Sequence, residues 1–509
     1  METKTAAIEM RNITKRFGPV LANDKVWLNI YRGEILALLG ENGSGNTTLM
    51  NMLSGIYFPD EGEIKIDGKE VVIRSPKDAF DNGIGMIHQH FKLVDVLTAA
   101  ENIVLGLPGK LDLKAASAKI REICDKYGFS VDPAQKIYDM SVSQKQTVEI
   151  VKVLYRGADI LILDEPTAVL TPQETDKLFA VLRNMRNDGK AIVIITHKMH
   201  EVEALSDRVA ILRHGQFIGD MLTANTNAQE MTNMMVGHAV SLNIERPDPV
   251  DPKPRIEVKG LTVRSVDGIV KLDDVSFTAN SGEILGIAGI SGCGQKELLE
   301  AIAGLQTVES GSISYIEDDG SREELIGKDP LSIAELGVSL SFVPEDRLGM
   351  GLVGNMNLAD NMMLRSFRRG KSIFTDRRSP RALAESVVQE LSVSTPSVDT
   401  PVRRLSGGNV QKVLVGREIA SAPTVLLTAY AVRGLDIHSS YTIYDLINRQ
   451  KKAGVAVIFV GEDLDVLLEL CDRILVLCGG KVSGIVSGRG AEKREVGMMM
   501  TKLGGQSHE

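Results

Sequence analysis

Short runs of Val, Ile and Leu alternate along the chain with longer segments in which apolar residues recur at helical spacing. The runs Ile35–Leu39, Ile160–Leu163 and Ile192–Ile195 are apolar at every position and end in glycine-rich or acidic turns. Strands without a polar face are typical of parallel sheets that helices cover on both sides. The segment Thr175–Arg186 shows the helical pattern. The chain is therefore predicted to be an α/β protein with a mostly parallel sheet.

Two well-separated stretches of the chain return almost unchanged. Residues 33–40 read GEILALLG and residues 282–289 read GEILGIAG, while residues 207–212 read DRVAIL and residues 472–477 read DRILVL. The offset is 249 residues at the first pair and 265 at the second, so the second copy has 16 extra residues. We place them in the arginine-rich region Arg365–Arg381, which reads as a surface loop. A period this long indicates duplicated domains.

A proline-rich stretch, Glu245–Pro254, separates the two copies and predicts an extended, semi-rigid linker. A chain of 509 residues also exceeds a single hydrophobic core, which favours two or more domains. The predicted boundaries are 6–242 for the first domain, 243–255 for the linker and 256–503 for the second domain.

Composition narrows the range of partners. The net charge of −9 argues against nonspecific binding of nucleic acid, which requires clustered lysine and arginine. Four cysteines without a C-x-x-C pair favour reduced thiols over a disulfide framework or a metal site. The amino terminus lacks the apolar run of a signal peptide, and no stretch reaches the roughly 18 apolar residues that span a bilayer. Any membrane role is therefore expected to depend on a partner protein.

Residues 40–47, here called the phosphate loop, match the pattern G-x-x-x-x-G-K-S/T at every defined position except one. In that pattern backbone N–H groups wrap a triphosphate, the lysine reaches the β- and γ-phosphates, and the hydroxyl holds Mg²⁺. Asn46 stands at the lysine position and Thr47 supplies the hydroxyl. The candidate nucleotide-binding residues here are Gly40, Glu41, Asn42, Gly43, Ser44, Gly45, Asn46, Thr47 and Thr48.

A buried strand about 120 residues further on ends in two adjacent carboxylates, Asp164 and Glu165. Together with a phosphate loop, this pair favours phosphoryl transfer, in which Asp164 would hold Mg²⁺ and Glu165 would polarise the attacking water. His197 ends the strand that we expect beside the Asp164 strand, so its imidazole is predicted near the γ-phosphate. The candidate catalytic groups are therefore Glu165, His197 and Gln89.

Two further residues complete the predicted nucleotide site. Gln89 lies between the phosphate loop and the acidic strand, where its amide would sense the metal or the attacking water. The predicted metal ligands are Thr47, Gln89 and Asp164. Phe17 is predicted to stack on the adenine ring, although an aromatic residue in this position is usually part of the core.

Leu405–Asn409 reads LSGGN and matches the signature loop L-S-G-G-Q/E except at its last position, and Met140–Gln144 is a weaker copy in the first half. With the motifs above, the chain resembles ATP-binding cassette (ABC) ATPases over nearly its full length. It is similar more narrowly to the duplicated ATPase subunits of bacterial sugar and nucleoside importers. The strings that suggest this narrower group are Met86–Phe91, Ala168–Gln173, Phe342–Arg347 and Arg433–Asp436.

The resemblance implies a specific architecture and set of partners. It implies two tandem P-loop ABC-type nucleotide-binding domains, each with a mostly parallel core sheet, an antiparallel β subdomain and a helical subdomain. ATP and Mg²⁺ are the implied ligands. Transmembrane permease subunits are the implied partners, with a substrate-binding protein as an indirect one and no nucleic acid. The implied location is the cytoplasmic face of the cell membrane, with peripheral attachment through the permease.

The second copy lacks the groups on which hydrolysis depends. Its lysine position holds Gln295 and its hydroxyl position holds Lys296. At the offset of 265, the positions of the metal ligand, the base and the histidine hold Ala429, Tyr430 and Glu462. The second domain is therefore predicted to be degenerate.

The signature loops show the reverse asymmetry: the first copy has lost the glycines of the pattern, and the second copy has kept them. Val142 and Ser143 replace both glycines in the first copy, whereas the second copy keeps Ser406, Gly407 and Gly408. In ABC ATPases the two cassettes pack head to tail, and each nucleotide lies between one phosphate loop and the other copy's signature loop. The resemblance therefore implies one composite site, in which the first phosphate loop is closed by the second signature loop.

Asn46 is the main defect of that site, because an amide carries no charge and lacks the reach of a lysine. The loss could cost on the order of 3–4 kcal/mol, or 10²–10³ in rate. We therefore expect Mg-ATP to bind but to be hydrolysed slowly or not at all. Two alternatives stay open: a nucleotide-binding switch without hydrolysis, and a soluble ABC-type translation factor. The short linker and the degenerate copy disfavour the translation factor.

The residues leave both nucleosides and simple sugars open as the transported substrate. The degraded acidic strand of the second copy resembles nucleoside-type members, which favours nucleosides. Permease docking is expected in Phe91–Thr98 and after Glu345, where apolar side chains such as Leu93, Val94 and Leu97 would receive a permease helix. Ordinary core packing of these side chains is an equally good interpretation.

Overall fold

The computed structural model divides the chain into two compact units, Met1–Ser241 and Leu242–Glu509. The structure describes residues 6–41, 43–88, 91–108, 112–168, 170–237, 243–265, 267–290, 292–342, 351–364, 366–367, 375–420, 423–433, 435, 437–461 and 463–501. Both units are mixed α/β structures, and each contains two sheets.

The first unit alternates strands and helices as the hydrophobic pattern predicts. Its described strands are β1 (Ala6–Phe17), β2 (Val20–Tyr31), β3 (Glu34–Leu39), β4 (Glu61–Ile66), β5 (Lys69–Val71), β6 (Ile84–Ile87), β7 (Ile160–Asp164), β8 (Ala191–Ile195), β9 (Arg208–Arg213) and β10 (Gln216–Leu222). Its described helices are α1 (Asn46–Leu53), α2 (Pro76–Asp81), α3 (Ala99–Val104), α4 (Leu113–Tyr127), α5 (Val142–Tyr155), α6 (Pro172–Asn187), α7 (Met199–Leu205) and α8 (Ala228–Val236).

The main sheet of the first unit has the strand order β10-β9-β3-β8-β7-β6, and only the edge pair β9–β10 is antiparallel. Every residue of β3 and β8 is buried, which explains why these strands have no polar face. The four-stranded sheet β2-β1-β4-β5 is antiparallel. The carboxyl ends of β3, β7 and β8 lie at one edge of the main sheet, where ligands bind in open α/β sheets.

The second unit repeats this design. Its described strands are β11 (Pro254–Arg264), β12 (Val270–Asn280), β13 (Ile284–Gly289), β14 (Ser310–Ile316), β15 (Arg322–Glu324), β16 (Val338–Phe342), β17 (Val425–Ala429), β18 (Ala456–Val460), β19 (Arg473–Cys478) and β20 (Lys481–Ser487). Its described helices are α9 (Gln295–Ile302), α10 (Pro330–Glu335), α11 (Leu358–Met363), α12 (Arg378–Glu390), α13 (Gly407–Ile419), α14 (Ile437–Lys452), α15 (Leu464–Leu470) and α16 (Lys493–Thr501).

The strand orders of the second unit, β12-β11-β14-β15 and β16-β17-β18-β13-β19-β20, correspond to those of the first. A separate apolar cluster in the first unit joins α3, α4 and α5 and forms a helical subdomain. The predicted fold class is therefore confirmed for both units. Among the helices of the described residues, none combines the length and the hydropathy that crossing a membrane requires.

The 16 extra residues of the second copy do not form one insertion. The offset between equivalent elements is 254 at Pro76 and Pro330, where α2 and α10 begin, and 259 at Ala99 and Leu358, where α3 and α11 begin. It reaches 265 at Leu113 and Arg378, where α4 and α12 begin. The prediction of a single insertion around Arg365–Arg381 is therefore wrong, because only the last six of the 16 residues fall there, between α11 and α12. Loops that connect elements tolerate such insertions at several places.

The proline-rich stretch is held against the second unit. Ile244 is buried in that unit's core, and the side chain of Asn448 donates a hydrogen bond of 2.6 Å to the carbonyl of Glu245. The Arg246 guanidinium donates to the carbonyls of Leu468 and Cys471 at 2.8 and 2.5 Å. The segment has no helix or strand between residues 243 and 253, but it is not a free spacer.

Candidate functional site

The phosphate loop connects the end of β3 to the start of α1. Gly43 and Gly45 have φ angles of 86° and 96°, a left-handed conformation that side chains rarely adopt. A Cβ at Gly40 would collide with the Ser44 side chain and the carbonyl of Leu212. The loop therefore needs its glycines both to turn and to pack. Asn42, which we predicted to bind nucleotide, lies outside the described residues.

Asn46 is the first residue of α1, and only 7% of its surface is exposed. Its side-chain oxygen and the Ser44 hydroxyl are both buried without a hydrogen-bond partner among the described residues. Buried polar groups in native structures are nearly always paired, so unpaired ones in a phosphate loop are suited to a polar ligand. The helix N-terminus adds N–H groups and a favourable dipole for an anion. Thr48 lies in the first turn of α1, and Glu41 precedes the loop's turn.

The structure brings the Thr47 hydroxyl close enough to the Asp164 carboxylate to affect its pKa. Burial, with the neighbouring charge of Glu165, raises the pKa of Asp164 to about 6, although the Thr47 hydrogen bond opposes this shift. A hydroxyl and one carboxylate fit Mg²⁺, which prefers oxygen ligands and usually keeps waters or phosphates as the others. No group of three or more acidic, His or Cys side chains that could hold a metal occurs among the described residues.

Glu165 and His197 contact each other directly at the ends of β7 and β8. The distance from His197 Nδ1 to Glu165 Oε1 is 2.9 Å. This hydrogen bond is the largest cause of the raised pKa of His197. Burial by itself would raise the pKa of Glu165, but the contact with His197 leaves it below the ordinary value. Glu165 has a φ of 46°, and its N–H donates to the Ile195 carbonyl at 2.9 Å, so β8 holds the strained residue in place.

Phe17, the last residue of β1, is 41% exposed and makes an edge contact with Tyr57 at a centroid distance of 5.1 Å. The Lys15 ammonium lies 5.5 Å from the Phe17 centroid. An exposed ring is available for stacking, so its contact with adenine stays a prediction. Gln89, predicted to sense the metal or water, lies outside the described residues.

Sequence reasoning missed a buried carboxylate beside this site. Glu201 in α7 is 2% exposed and accepts hydrogen bonds from the hydroxyls of Thr167 and Thr196. The Lys198 ammonium lies 3.2 Å from the same carboxylate. The signal in the sequence was a glutamate at a core-facing position of a short helix, which pattern alone does not separate from a surface charge.

The second unit keeps the backbone of the site and lacks its chemistry. Tyr430 has a φ of 55°, and its N–H donates to the Val460 carbonyl at 3.0 Å, as Glu165 does in the first unit. Ala429, at the position of Asp164, is fully buried. Gln295 bends back and donates to the Ile290 carbonyl of its own loop at 3.2 Å. Glu462 lies outside the described residues.

The two signature segments each begin a helix within their own unit. Ser406 is the N-cap of α13, and its hydroxyl accepts from the side-chain nitrogen of Asn409 at 2.9 Å. Gly407 and Gly408 form the first turn of α13, whose N–H groups suit an anion. Ser141 caps α5 with a capping box instead of a glycine pair. That Ser406, Gly407 and Gly408 close the first unit's site stays a prediction.

Comparison with known proteins agrees with this geometry. The sequence profile of the family described as ABC transporter matches residues 23–168 and 272–428, once in each unit. The chain is 42% identical to the nucleoside import ATP-binding protein NupA of Lactococcus lactis, over 99% of both chains. It is 39% identical to the glucose import ATP-binding protein TsgD13 of Haloferax volcanii, over 98% of this chain and 96% of that one. It is 40% identical to the guanosine import ATP-binding protein NupO of Bacillus subtilis, over 97% of both.

Two profile matches and full-length relatives agree with two phosphate loops on equivalent sheets. The first unit's strand ends in both carboxylates, Asp164 and Glu165, whereas the equivalent strand of the second unit ends in Ala429 and Tyr430. The chain belongs to the ABC transporter family of ATP-binding cassette ATPases and contains two cassettes.

Proposed function

We propose that this chain is the energy-coupling subunit of an importer that carries nucleosides or simple sugars. Relatives that match nearly its whole length are named as import ATP-binding proteins for nucleosides, guanosine and glucose. Two of those three are of the nucleoside type, which supports nucleosides as the first substrate class to test. Transmembrane permease subunits would attach the chain to the cytoplasmic face of the membrane, with a substrate-binding protein outside.

The observation that carries the proposal is the contact of 2.9 Å between Glu165 and His197 in the first unit, beside Asp164 and the phosphate loop. ATP would lie along the phosphate loop, with its phosphates on the N-terminus of α1. Thr47 and Asp164 would hold Mg²⁺, which neutralises charge on the triphosphate when bound. Glu165 would polarise the attacking water, and His197 would turn from Glu165 toward the γ-phosphate.

Asn46 would leave this site able to bind ATP and poor at hydrolysing it. Backbone N–H groups of the loop, and Mg²⁺ held by Thr47 and Asp164, would contribute to ATP binding in the ground state. A lysine at position 46 would instead stabilise the charge that develops in the transition state. An amide at Asn46 supplies hydrogen bonds without that charge. ATP binding alone would still favour closure of the cassettes, as in a nucleotide-dependent switch.

The second signature segment would complete the site. Ser406, Gly407 and Gly408 begin α13, so their N–H groups and the helix dipole suit the γ-phosphate. The first unit's own segment has Val142 and Ser143 in place of the glycines. This pattern of loss supports a single composite site for hydrolysis.

The permease would dock on an exposed turn that precedes α3. Val94 and Val96 are 41% and 68% exposed, whereas Leu93 packs against the helical core. Leu97 is partly buried, and its carbonyl accepts from the N–H of Ile137. Val94 and Val96 are therefore better candidates for permease contact than Leu93 and Leu97. The corresponding residues immediately after Glu345 lie outside the described part of the chain.

The test is to measure ATP binding and turnover of the chain before and after Asn46→Lys. We expect ATP affinity to change little and turnover to rise by about 10²–10³, because a preorganised cation is restored. Gln295→Lys is the matched control and should change turnover by less than about twofold, because Ala429 and Tyr430 supply neither a metal ligand nor a base. Equal turnover before and after the Asn46→Lys substitution would contradict the proposed defect.

The partner is tested by purification from membranes. A multispanning permease that co-purifies with the chain, and whose nucleoside uptake depends on it, would support the importer. Co-purification with ribosomes instead would favour the alternative of a translation factor. Uptake of simple sugars without nucleosides would keep the coupling role and change the substrate class.

A further inference from the structure

A buried carboxylate connects the two loops on which hydrolysis would depend. Glu201 is enclosed by Thr167, which follows Glu165 in the loop after β7, and by Thr196, which precedes His197 after β8. The Thr167 hydroxyl donates to Glu201 Oε1, and the Thr196 hydroxyl donates to Oε2 at 3.3 Å. One side chain therefore holds both loops, with one carboxylate oxygen for each.

Lys198 adds the compensating charge. Its ammonium lies 3.2 Å from Glu201 Oε1 and 3.4 Å from both the carbonyl and the hydroxyl of Thr167. Its backbone N–H donates to the Thr196 hydroxyl at 3.1 Å. A buried carboxylate is costly unless it is paired and hydrogen-bonded, and this one is both. The four side chains form one connected polar network, which we call the Glu201 network.

The second unit shows what the network does not do. At the offset of 265, Val432, Gly461, Asp463 and Val466 replace its four members. The strands and the helix around them correspond nonetheless, because β17, β18 and α15 match β7, β8 and α7 residue for residue in length. Tyr430 also keeps the left-handed φ of Glu165. The fold and the strained turn therefore form without the network.

Lys198 breaks a local rule of helix structure in the first unit. It occupies the N-cap of α7, where its side chain makes no capping hydrogen bond. Short oxygen-bearing side chains are preferred at an N-cap, and a cation at a helix N-terminus is disfavoured by the helix dipole. In the second unit Asp463 caps α15 by accepting from the N–H of Asp465 at 2.9 Å. A lysine in this position is explained by its contacts with Glu201 and Thr167 and not by helix stability.

We propose that Glu201 is a positioning residue for hydrolysis, which holds the loops of Glu165 and His197 at the separation that the reaction requires. The inference rests on the proposed function. Glu201 acts on both reactive side chains through an intermediate residue: it holds the loop of Glu165 through Thr167 and the loop of His197 through Thr196. Small displacements of positioned groups lower turnover without lowering substrate affinity.

The first experiment uses the full chain with Asn46→Lys as the parent, because that parent is expected to turn over. Glu201→Ala should lower kcat by about tenfold or more and change the KM for Mg-ATP by less than about twofold. Glu201→Gln keeps an oxygen acceptor and should recover part of the loss. The matched control is Val466→Ala at the equivalent position, which should change neither constant.

The second experiment needs no turnover and uses the chain with its own Asn46. Amide hydrogen exchange should become faster in the loops around Thr167 and His197 after Glu201→Ala, with the phosphate loop and β17–β18 unchanged. If the Asn46→Lys parent is inactive, the proposed hydrolytic site fails, and the exchange result alone decides whether Glu201 holds the two loops. A kcat within twofold of the parent with Glu201→Ala, or exchange unchanged in both loops, would overturn the inference. A matching loss of ATP affinity would overturn it too, because it would show a general structural role instead.

Discussion

The two units have the same strand order, yet the side chains at the ends of their equivalent strands differ. In the first unit Asp164, Glu165 and His197 stand at the ends of β7 and β8, and Asp164 carries the energetic cost of a buried charge. In the second unit Ala429 and Tyr430 occupy the same backbone positions. The difference teaches that the strained turn at the end of this strand belongs to the fold and forms without the two carboxylates.

Some residues are the same in both units, and these residues help to distinguish structural roles from roles in hydrolysis. Asp207 and Asp472 each accept a hydrogen bond of 2.9 Å from the backbone N–H of a central strand, at Ile35 and Ile284. Such a contact orders the main sheet in either unit. Retention in the second unit, where Ala429 and Tyr430 replace the two carboxylates, favours a structural role for these residues.

A second retained pair lies in the turn that we assign to permease contact. The buried side chain of Asn102 accepts from the N–H of Val94 at 2.7 Å and donates to its carbonyl at 3.1 Å. Asn361 makes the same two contacts with Val353, at 2.9 and 3.1 Å. Val353 is 43% exposed, much like Val94. Both units therefore present an exposed valine on a turn that a buried asparagine holds by two hydrogen bonds, as the proposed docking would require.

Substitutions in the two signature segments are expected to have the largest and most unequal effects on turnover. In the Asn46→Lys parent, Gly408→Asp should lower turnover by about 10- to 100-fold, because it places a carboxylate at a helix N-terminus that faces the γ-phosphate in the proposed site. The nearest atom to a Cβ at Gly408 is 3.7 Å away, so a Cβ is accommodated there. Steady-state turnover checks this. Ser143→Asp in the first unit is the control, and an equal loss there would contradict the single composite site.

Asp164→Asn should sharpen the comparison by making the first unit resemble the second. The folded carboxyl ionises near a pKa of about 6, whereas an unfolded one ionises near 3.8, so folding bears a cost that grows between these values and is complete at pH 7. Without nucleotide or metal, Asp164→Asn should stabilise the chain at pH 7 by about 1–3 kcal/mol, and by little below about pH 4. Thermal and urea unfolding at both pH values measure this.

Asp60, an exposed carboxylate whose pKa is lowered instead of raised, provides the control for that experiment. Hydrogen bonding by Lys15 lowers the pKa of Asp60, so ionised Asp60 stabilises the fold above its ordinary pKa and that contribution is lost on acidification. Asp60→Asn should therefore lower stability at pH 7, the reverse of Asp164→Asn. A stabilisation by Asp164→Asn that does not depend on pH would contradict the assigned cause.

The smallest effect is expected at Asn102 and Asn361, which make the same contacts in the two units. Asn102→Ala and Asn361→Ala should each lower the amount of co-purified permease by about two- to tenfold, because each frees the turn that presents an exposed valine. ATP affinity should stay unchanged in both variants. Asn82→Ala, which removes an amide bonded to the Asp78 carbonyl in a different loop, is the control. Loss of permease with only one of the two variants would contradict equivalent docking turns.

Much of the fold and of the site could be predicted from the sequence. All-apolar runs located β3, β7 and β8, and the repeat indicated two equivalent domains. The motifs singled out Asp164, Glu165 and His197, which the structure places at the ends of β7 and β8, while their roles in phosphoryl transfer stay predictions. The position of the extra residues was wrong, since insertions in loops leave no periodic signal.

The sequence by itself determined the fold class, the duplication and the asymmetry between the cassettes, because strand pattern and motif identity are local properties of the chain. Only the tertiary structure decided which polar groups share one environment. It brought Glu201 to Thr167 and Thr196, and it bent Gln295 onto its own loop. These contacts join residues on different strands and loops, and burial sets their energy, so no spacing along the chain reveals them.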